Sequence, residues 1–402
     1  MEDYARGLVS NLTFPFPTNA MTACRIILCI LFLYLAGDAF AFDYKFEERV
    51  IGNGQYYFNS PKGFDDMGRG VDLRAGVLGN AWKKDEWKLD YEVTGDMVYQ
   101  AGPSVQSGIN KGYDADFFRA WFRVDNDQFK LRGGRQKILF GSATLFRPLG
   151  FFDTRDVTAV VPETRGVDGV QSSWFFDETT FVEGWTVPAK KGSGVIVGLR
   201  GERLISGWES GVVYQYHPQS SQTEMPNFNL DLTQLGFHVK GEHVVGLWNE
   251  SRLDIQQRGS EKPLRFDTVL GLDYTFALGA GLHVLGEYFL STRERQFNQI
   301  NLLNEPIDLL NQRTIHQLGF AMDQPVGIAI VWRIFGFYDI RDGSFQIAPQ
   351  IEYALTKQIF LYLYGRWGDN VNGIDVPGRL FLKAPVFTGT ESTAGVSMVA
   401  YF

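Results

Sequence analysis

The final ten residues alternate without a break: Ala394, Val396, Met398, Ala400 and Phe402 hold one parity, and Thr393, Gly395, Ser397, Val399 and Tyr401 the other. Period-two alternation sends successive side chains to opposite faces of a strand. The same pattern recurs from about residue 43 onward, in segments of roughly ten residues separated by turn residues. The longest apolar stretch there, Val326 to Phe337, is interrupted by Arg333. It falls short of the ~20 apolar residues that a membrane-spanning helix needs. Any passage through a bilayer must therefore use strands closed on themselves, since hydrocarbon offers no solvent to an open sheet edge.

The N-terminal segment predicts export. Arg25 precedes an apolar run, Ile26 to Ala36, followed by Gly37, Asp38 and Ala39-Phe40-Ala41. These are the basic, apolar and small-residue regions of a secretory signal peptide. Met21 fits its start better than Met1, and cleavage is expected after Ala41, which leaves residues 42–402 as the mature chain. Both cysteines, Cys24 and Cys29, lie within the removed part, so no disulfide is expected. An exported chain that closes on a strand ending in Phe402 predicts an all-β, transmembrane antiparallel barrel in the outer membrane of a Gram-negative bacterium.

Composition agrees. A net charge of −8 argues against a nucleic-acid partner. The 15% aromatic content and 44 glycines suit a barrel with aromatic girdles. Such barrels alternate short periplasmic turns with longer external loops. Short connections are read at Ala81–Glu86, Asn126–Gln128, Asp177–Thr179, Gly241–His243, Ala277–Gly281, Asp323–Pro325 and Leu355–Lys357. Long ones interleave with them, the longest at Gly141–Val167, Arg293–Gln312 and Gly368–Ala384. An inward-running last strand then requires an outward strand within Asp43–Phe58, for about 18 strands, with 16 as the neighbouring even count. A solenoid would show a fixed repeat, and none is present.

Face assignment follows from charge, since an arginine at the bilayer midplane costs about 2–4 kcal/mol. In Phe117–Val124, Phe118, Ala120, Phe122 and Val124 are assigned to lipid, and Arg119, Trp121 and Arg123 to the lumen. Asp90 and Glu92 face the lumen from Trp87–Met97, and Glu352 from Phe345–Leu355. In Gln128–Phe140, Lys130 and Arg132 face inward, and simple parity would turn Arg135 and Lys137 outward. Paired glycines in a strand often mark a β-bulge, so Gly133-Gly134 predicts one that returns Arg135 and Lys137 to the lumen. The expectation is a basic cluster of Arg119, Arg123, Arg132, Arg135 and Lys137. The competing reading pairs these cations with Asp90, Glu92 and other acids across the wall.

The run Lys130-Leu131-Arg132-Gly133-Gly134-Arg135-Gln136-Lys137-Ile138-Leu139-Phe140-Gly141, with Phe152-Asp153 and Asp168-Gly169-Val170 after it, resembles the alginate-export-like family of outer-membrane porins. The resemblance covers residues 116–175. It implies an 18-stranded barrel with an arginine-lined constriction that passes an anionic solute or polysaccharide, with Arg135 and Gln136 matching the motif directly. Here the excess of acids, and the lack of a basic ladder on other strands, depart from a polymer exporter.

The segment Gly141–Val167 is long and mixes Phe146, Phe151 and Phe152 with Arg147, Asp153, Arg155 and Arg165. Long loops without regular structure are usually functional, and this one is expected to fold into the mouth and narrow it. The histidines, His217, His238, His243, His283 and His316, form no H-E-x-x-H pair, and no nucleophile elbow, phosphate loop or dinucleotide fingerprint occurs. The oxygen-rich Gly368–Asp375 reads as a polar turn. No catalytic residue, metal or cofactor is expected.

The chain reads as a channel for passive diffusion of small anionic solutes or saccharides. The alternatives are a polysaccharide-export barrel and a closed structural or adhesive barrel. Expected partners are outer-membrane lipid and lipopolysaccharide outside and the solute inside. Oligomeric state stays open, because faces packed between protomers look like lipid faces.

Overall fold

In the computed structural model, eighteen strands form one antiparallel sheet. The structure describes residues 43–58, 67–101, 111–189, 194–220, 230–257, 264–292, 314–340, 343–369 and 392–402. The expected signal peptide and most of the Gly368–Asp375 turn lie outside the described residues. In chain order the strands are β1 (Asp43–Tyr57), β2 (Met67–Lys84), β3 (Trp87–Ala101), β4 (Lys111–Asp125), β5 (Phe129–Gln136) and β6 (Val167–Phe175). Then come β7 (Thr180–Pro188), β8 (Val195–Ile205), β9 (Trp208–Ser220), β10 (Leu230–Glu242), β11 (Gly246–Gln257) and β12 (Leu264–Phe276). The last six are β13 (Leu282–Ser291), β14 (Ile315–Val326), β15 (Ile330–Asp339), β16 (Phe345–Ala354), β17 (Ile359–Asp369) and β18 (Thr393–Tyr401).

Each strand pairs with its sequence neighbours, and β18 pairs with β1 from Tyr401↔Arg49 to Thr393↔Tyr57. Phe402 extends this ladder, its N–H donating to the Glu48 carbonyl at 3.0 Å. The sheet is therefore a closed barrel with no free edge. At ~4.8 Å between strands and ~40° of tilt, eighteen strands enclose a cylinder about 36 Å across at the backbone.

Connections alternate in length as expected, though two short turns sit elsewhere than the sequence suggested and a third is tighter. The β2–β3 turn lies within the expected Ala81–Glu86 but is tighter, confined to Asp85-Glu86 with Asp85 at φ 53°. The turn placed at Asp323–Pro325 lies at 327–329, where Gly327 takes φ 65°. Pro325 stays in β14 opposite Val331. The turn placed at Gly241–His243 falls at 243–245. An unforeseen turn joins β8 to β9 at Ser206-Gly207, with φ 52° and 83°. Left-handed values at both central residues match the mirror-image turns that suit strand twist.

The outer face carries the exposed apolar side chains: Phe122, Leu199, Val212, Leu270, Leu363 and Met398 are each at least half exposed or close to it. Most buried apolar side chains instead form two clusters within the barrel. Part of the lumen wall is therefore packed as an apolar core. From β7 to β15 the inner face carries Trp185, Val187, Ile196, Val213, Trp248, Val269, Leu285, Phe289 and Phe337, all buried. The covering material is residues 137–166.

Candidate functional site

Residues 137–166 connect β5 to β6 and fold inward. Their first half is apolar. Ile138, Phe140, Leu149 and Phe151 pack with Trp185, Val187, Ile196 and Val213, and Leu145 and Phe146 with Trp248, Val269, Phe289 and Phe337. Phe146 stacks on Phe289 at 5.2 Å and meets Phe337 edge-on at 5.8 Å. Each fully buried side chain of this size contributes about 1.5–3 kcal/mol, so the segment is held as a core is held. Close approach needs small residues on the wall: a Cβ on Gly236 would lie 2.3 Å from Leu149, and one on Gly319 2.7 Å from Phe146.

Two wall carboxylates fix the backbone. Glu287 of β13 accepts the N–H groups of Thr144 (2.6 Å), Leu145 (3.0 Å) and Phe146 (2.7 Å), and the indole N–H of Trp248 (3.0 Å). Successive N–H groups converging on one anion form a backbone nest. Glu250 of β11 accepts from Ala143 (2.9 Å) and Leu149 (2.6 Å). Gly141, at φ 98°, lies against the same carboxylate, where a Cβ would be 2.4 Å from Oε2. Arg252 donates to the Pro148 carbonyl at 2.6 Å.

The second half of the segment is polar and meets a polar wall. Gln350 of β16 donates to the Thr158 carbonyl (2.6 Å), and Arg366 of β17 to Asp156 (2.9 Å). Glu163 is clasped by Arg49 of β1 and Arg74 of β2, each at 2.7 Å. Arg119 of β4 donates to the Thr164 carbonyl at 2.6 Å. The anchors thus run from β7 through β17 to β1, β2 and β4, around the inside of the barrel. Thirty residues can reach about 100 Å when extended, enough for such a circuit with turns. Within the segment Asp153 accepts from Arg147 and from the Thr164 hydroxyl, and Arg147 also donates to the Arg155 carbonyl at 2.6 Å. Phe151 is buried edge-on to Phe140, Phe152 is partly buried, and Arg155 stands 3.9 Å from Asp153.

Electrostatics in this segment follow its partners. Burial pushes the Glu163 carboxyl up, but Arg74 and Arg49 reverse this and hold it below the usual carboxylate range. Asp156 is likewise lowered: burial opposes ionisation, and Arg366 with the Thr158 hydrogen bonds outweighs it. Lys137 is pulled below the usual lysine range by desolvation, then by Arg155 and Arg119.

The sequence-assigned cations separate into two groups. Arg123 binds Asp90 and Asp125, and Arg135 binds Asp168 (2.9 Å) and Asp116 (2.5 Å). Glu92 accepts from the Trp121 indole at 2.8 Å, and Glu352 pairs with Arg333 at 2.8 Å. Arg132 instead lies over the Trp121 ring at 4.7 Å, and Lys130 over Phe175 at 5.2 Å. Among the described residues neither has a carboxylate within ion-pair distance, nor has Arg119 or Lys137. Gln136 is fully buried and donates to the Gly169 carbonyl at 3.0 Å.

Two face assignments are corrected. Pairing on both sides of β5 runs unbroken through Gly133-Gly134, so no bulge forms there. Gly134 takes φ 115° instead, where a Cβ would lie 2.2 Å from the Ala120 carbonyl. Arg135 therefore alternates away from Arg132 and bridges acids where β5 leaves the wall, while Lys137 lies beyond the strand. The bulge sits on β4: Thr94 faces Arg119 and Gly95 faces Phe117, so Phe118 is the extra residue. It turns inward under Arg74, whose guanidinium is 3.3 Å from the ring centroid, rather than toward lipid. The sequence reading missed the anchors Arg49, Arg74, Glu250 and Arg366, and gave no anchoring role to Glu287 or to Gln350.

The sequence matches no family model and no curated protein. Solved structures match along the whole barrel. Acinetobacter baumannii OccAB1 aligns at a TM-score of 0.56 and 10% identity, covering 90% of this chain and 96% of that one. Pseudomonas aeruginosa OpdQ aligns at 0.56 and 7%, covering 90% and 98%. A porin of Rh. blastica aligns at 0.47 and 12%, covering 89% and 100%. The structural neighbours are outer-membrane porins, and at these identities the likeness is one of fold.

Proposed function

We propose that this protein is an outer-membrane channel for passive diffusion of small solutes, its aperture set by residues 137–166. The observation that carries the reading is the inward segment itself, gripped by Glu250, Glu287, Arg252, Gln350, Arg366, Arg49 and Arg74 from around the wall. Such a fixed belt narrows a cylinder about 36 Å across while the wall from β16 to β4 keeps its charged side chains. Lumen charge rings and constrictions are the usual source of selectivity in such pores.

The solute class is small anions or anionic saccharides. Support comes from Arg119, Lys130, Arg132 and Lys137, which among the described residues have no acid at ion-pair distance, and from the resemblance of residues 130–141 to the alginate-export-like porins. Outer-membrane location rests on the fold and the signal-like N-terminus; cell fractionation and N-terminal sequencing for a start at Phe42 test it. Transport is tested by swelling of liposomes carrying the purified barrel, in neutral sugars and in sugar acids of matched size. Faster uptake of the acids supports the full reading. Equal uptake removes the anion preference, and no uptake of either removes the channel and favours a closed barrel.

A further inference from the structure

A group of three side chains on the inner face, unconnected with the solute reading, has the make-up of a metal site. Glu202 lies on β8, Glu209 on β9 and His238 on β10. One carboxylate oxygen of each glutamate and one imidazole nitrogen all fall within 4.8 Å of one another. From these residues we infer a binding site for a divalent transition-metal ion of the zinc type.

The backbone register explains how the group is built. Gly211 of β9 faces Glu202 on one side and His238 on the other. The three positions form one row across three strands, and its middle member has no side chain. A Cβ on Gly211 would lie 2.1 Å from His238 Nε2. The imidazole therefore lies across the glycine and aims Nε2 at Glu202, whose Oε2 is 3.6 Å away. Glu209, two residues before Gly211 on the same strand, has the same parity and completes a third side. Two carboxylates and a histidine from three adjacent strands thus surround the space over one glycine.

The ligand chemistry is specific. Imidazole with carboxylate oxygens suits zinc and its first-row neighbours, whereas calcium and magnesium take oxygen alone. Tetrahedral ligation at ~2.0–2.2 Å needs ligand atoms closer together than 4.8 Å, a movement within reach of glutamate rotamers. His238 is buried, and its other nitrogen, Nδ1, lies 3.1 Å from the Ser142 hydroxyl. A partner on the second nitrogen fixes ring orientation and tautomer at a metal-binding histidine. Glu202 and Glu209 are only partly buried, which leaves a side open to the lumen for entry and for a water ligand. Arg200 reaches Glu202 at 3.4 Å but has its nearer carboxylate in Glu183 at 3.0 Å.

Ser142 belongs to the inward segment, one residue before the Ala143 N–H that Glu250 holds. An ion on His238 would thus tie the segment to the wall.

The test uses the full barrel in detergent after treatment with a chelator. Calorimetric titration with Zn2+ is expected to show one site per chain, and Co2+ to give visible d–d absorption. Glu209→Gln and His238→Gln should each weaken Zn2+ binding at least tenfold and abolish the cobalt spectrum. Ser142→Ala should weaken binding by ~10-fold or more, as loss of a second-sphere partner does. His283→Ala, which removes the histidine between Asp273 and Asp323, should leave both signals. The variants are compared only where the strand circular-dichroism spectrum is retained; Glu209→Gln, at a partly exposed position, serves if His238→Gln fails to fold. Absence of stoichiometric binding by the native chain overturns the inference, as does binding that survives Glu209→Gln unchanged.

Discussion

The carboxylate of Glu287 sits 2.7 Å from the backbone N–H of Phe146, a residue 141 positions earlier in the chain. It accepts from Thr144 and Leu145 as well. A wall residue thereby dictates the path of a distant loop through its main chain. Glu287→Ala leaves the buried Leu145 and Phe146 N–H groups without an acceptor, at about 1–3 kcal/mol for each. The expected outcome is a folded barrel with a loosened inner segment, seen as higher single-channel conductance with more current noise in planar bilayers. Conductance identical to the parent would show that the apolar contacts alone hold the segment.

Acid should release the polar half of the belt. Glu163 and Asp156 are held below the usual carboxylate range in the folded protein. A group whose folded pKa is depressed contributes stability above its unfolded pKa and loses it as pH falls through the folded value. The anchoring is therefore full at neutral pH, declines below the ordinary carboxylate range, and is gone once the depressed values are passed. Current noise recorded from neutral pH downward should rise only in that acid window. Glu163→Gln should show raised noise already at neutral pH.

Charge selectivity should depend on Arg132 more than on Arg135. Arg135 is neutralised by Asp116 and Asp168, whereas Arg132 rests on Trp121 with no acid at ion-pair distance among the described residues. Arg132→Glu should move the reversal potential in a salt gradient toward cation preference. Arg135→Glu should move it less, and it places three acids together where β5 leaves the wall. An equal shift from both would show that the ion pairs do not screen Arg135.

Phe122 and Phe118 have the same spacing class on β4 but different surroundings. Phe122 is 59% exposed on the outer face, whereas Phe118 lies under Arg74 inside. Phe122→Arg places a cation in hydrocarbon, at about 2–4 kcal/mol near the midplane. It should lower the yield of heat-modifiable folded barrel in refolding assays. Phe118→Arg should cost less, despite repulsion from Arg74, because its side chain stays in the polar interior. A similar loss at both positions would contradict the bulge at Phe118.

The barrel was legible in the sequence because alternation is local: Val396, Met398 and Phe402 share a face whatever the rest of the chain does. The inward tendency of the loop was legible too, in the mixture of Phe146, Phe151 and Phe152 with Arg147 and Arg155. Its route was not, since Glu250, Gln350 and Arg366 approach it only once the sheet has closed. The bulge was misplaced for a related reason. A glycine pair is a local signal, but an extra residue is defined against a neighbour's register, and only Thr94↔Arg119 followed by Gly95↔Phe117 reveals Phe118. The apolar inner wall did leave a trace. The run Val326 to Phe337 is apolar at both parities, as strands buried on both faces are, and Phe335 and Phe337 are among the residues that receive the loop.

Glu250 and Glu287 hold the inner segment by main-chain N–H groups, which every residue except proline supplies. The route of this half is thus written in the wall, and exposed side chains other than the polar anchors Asp156 and Glu163 can be exchanged without rerouting the segment. A designer seeking a different filter could recast Arg155, Lys137 or Arg165 and leave the tether untouched, so that discrimination and architecture become separately adjustable.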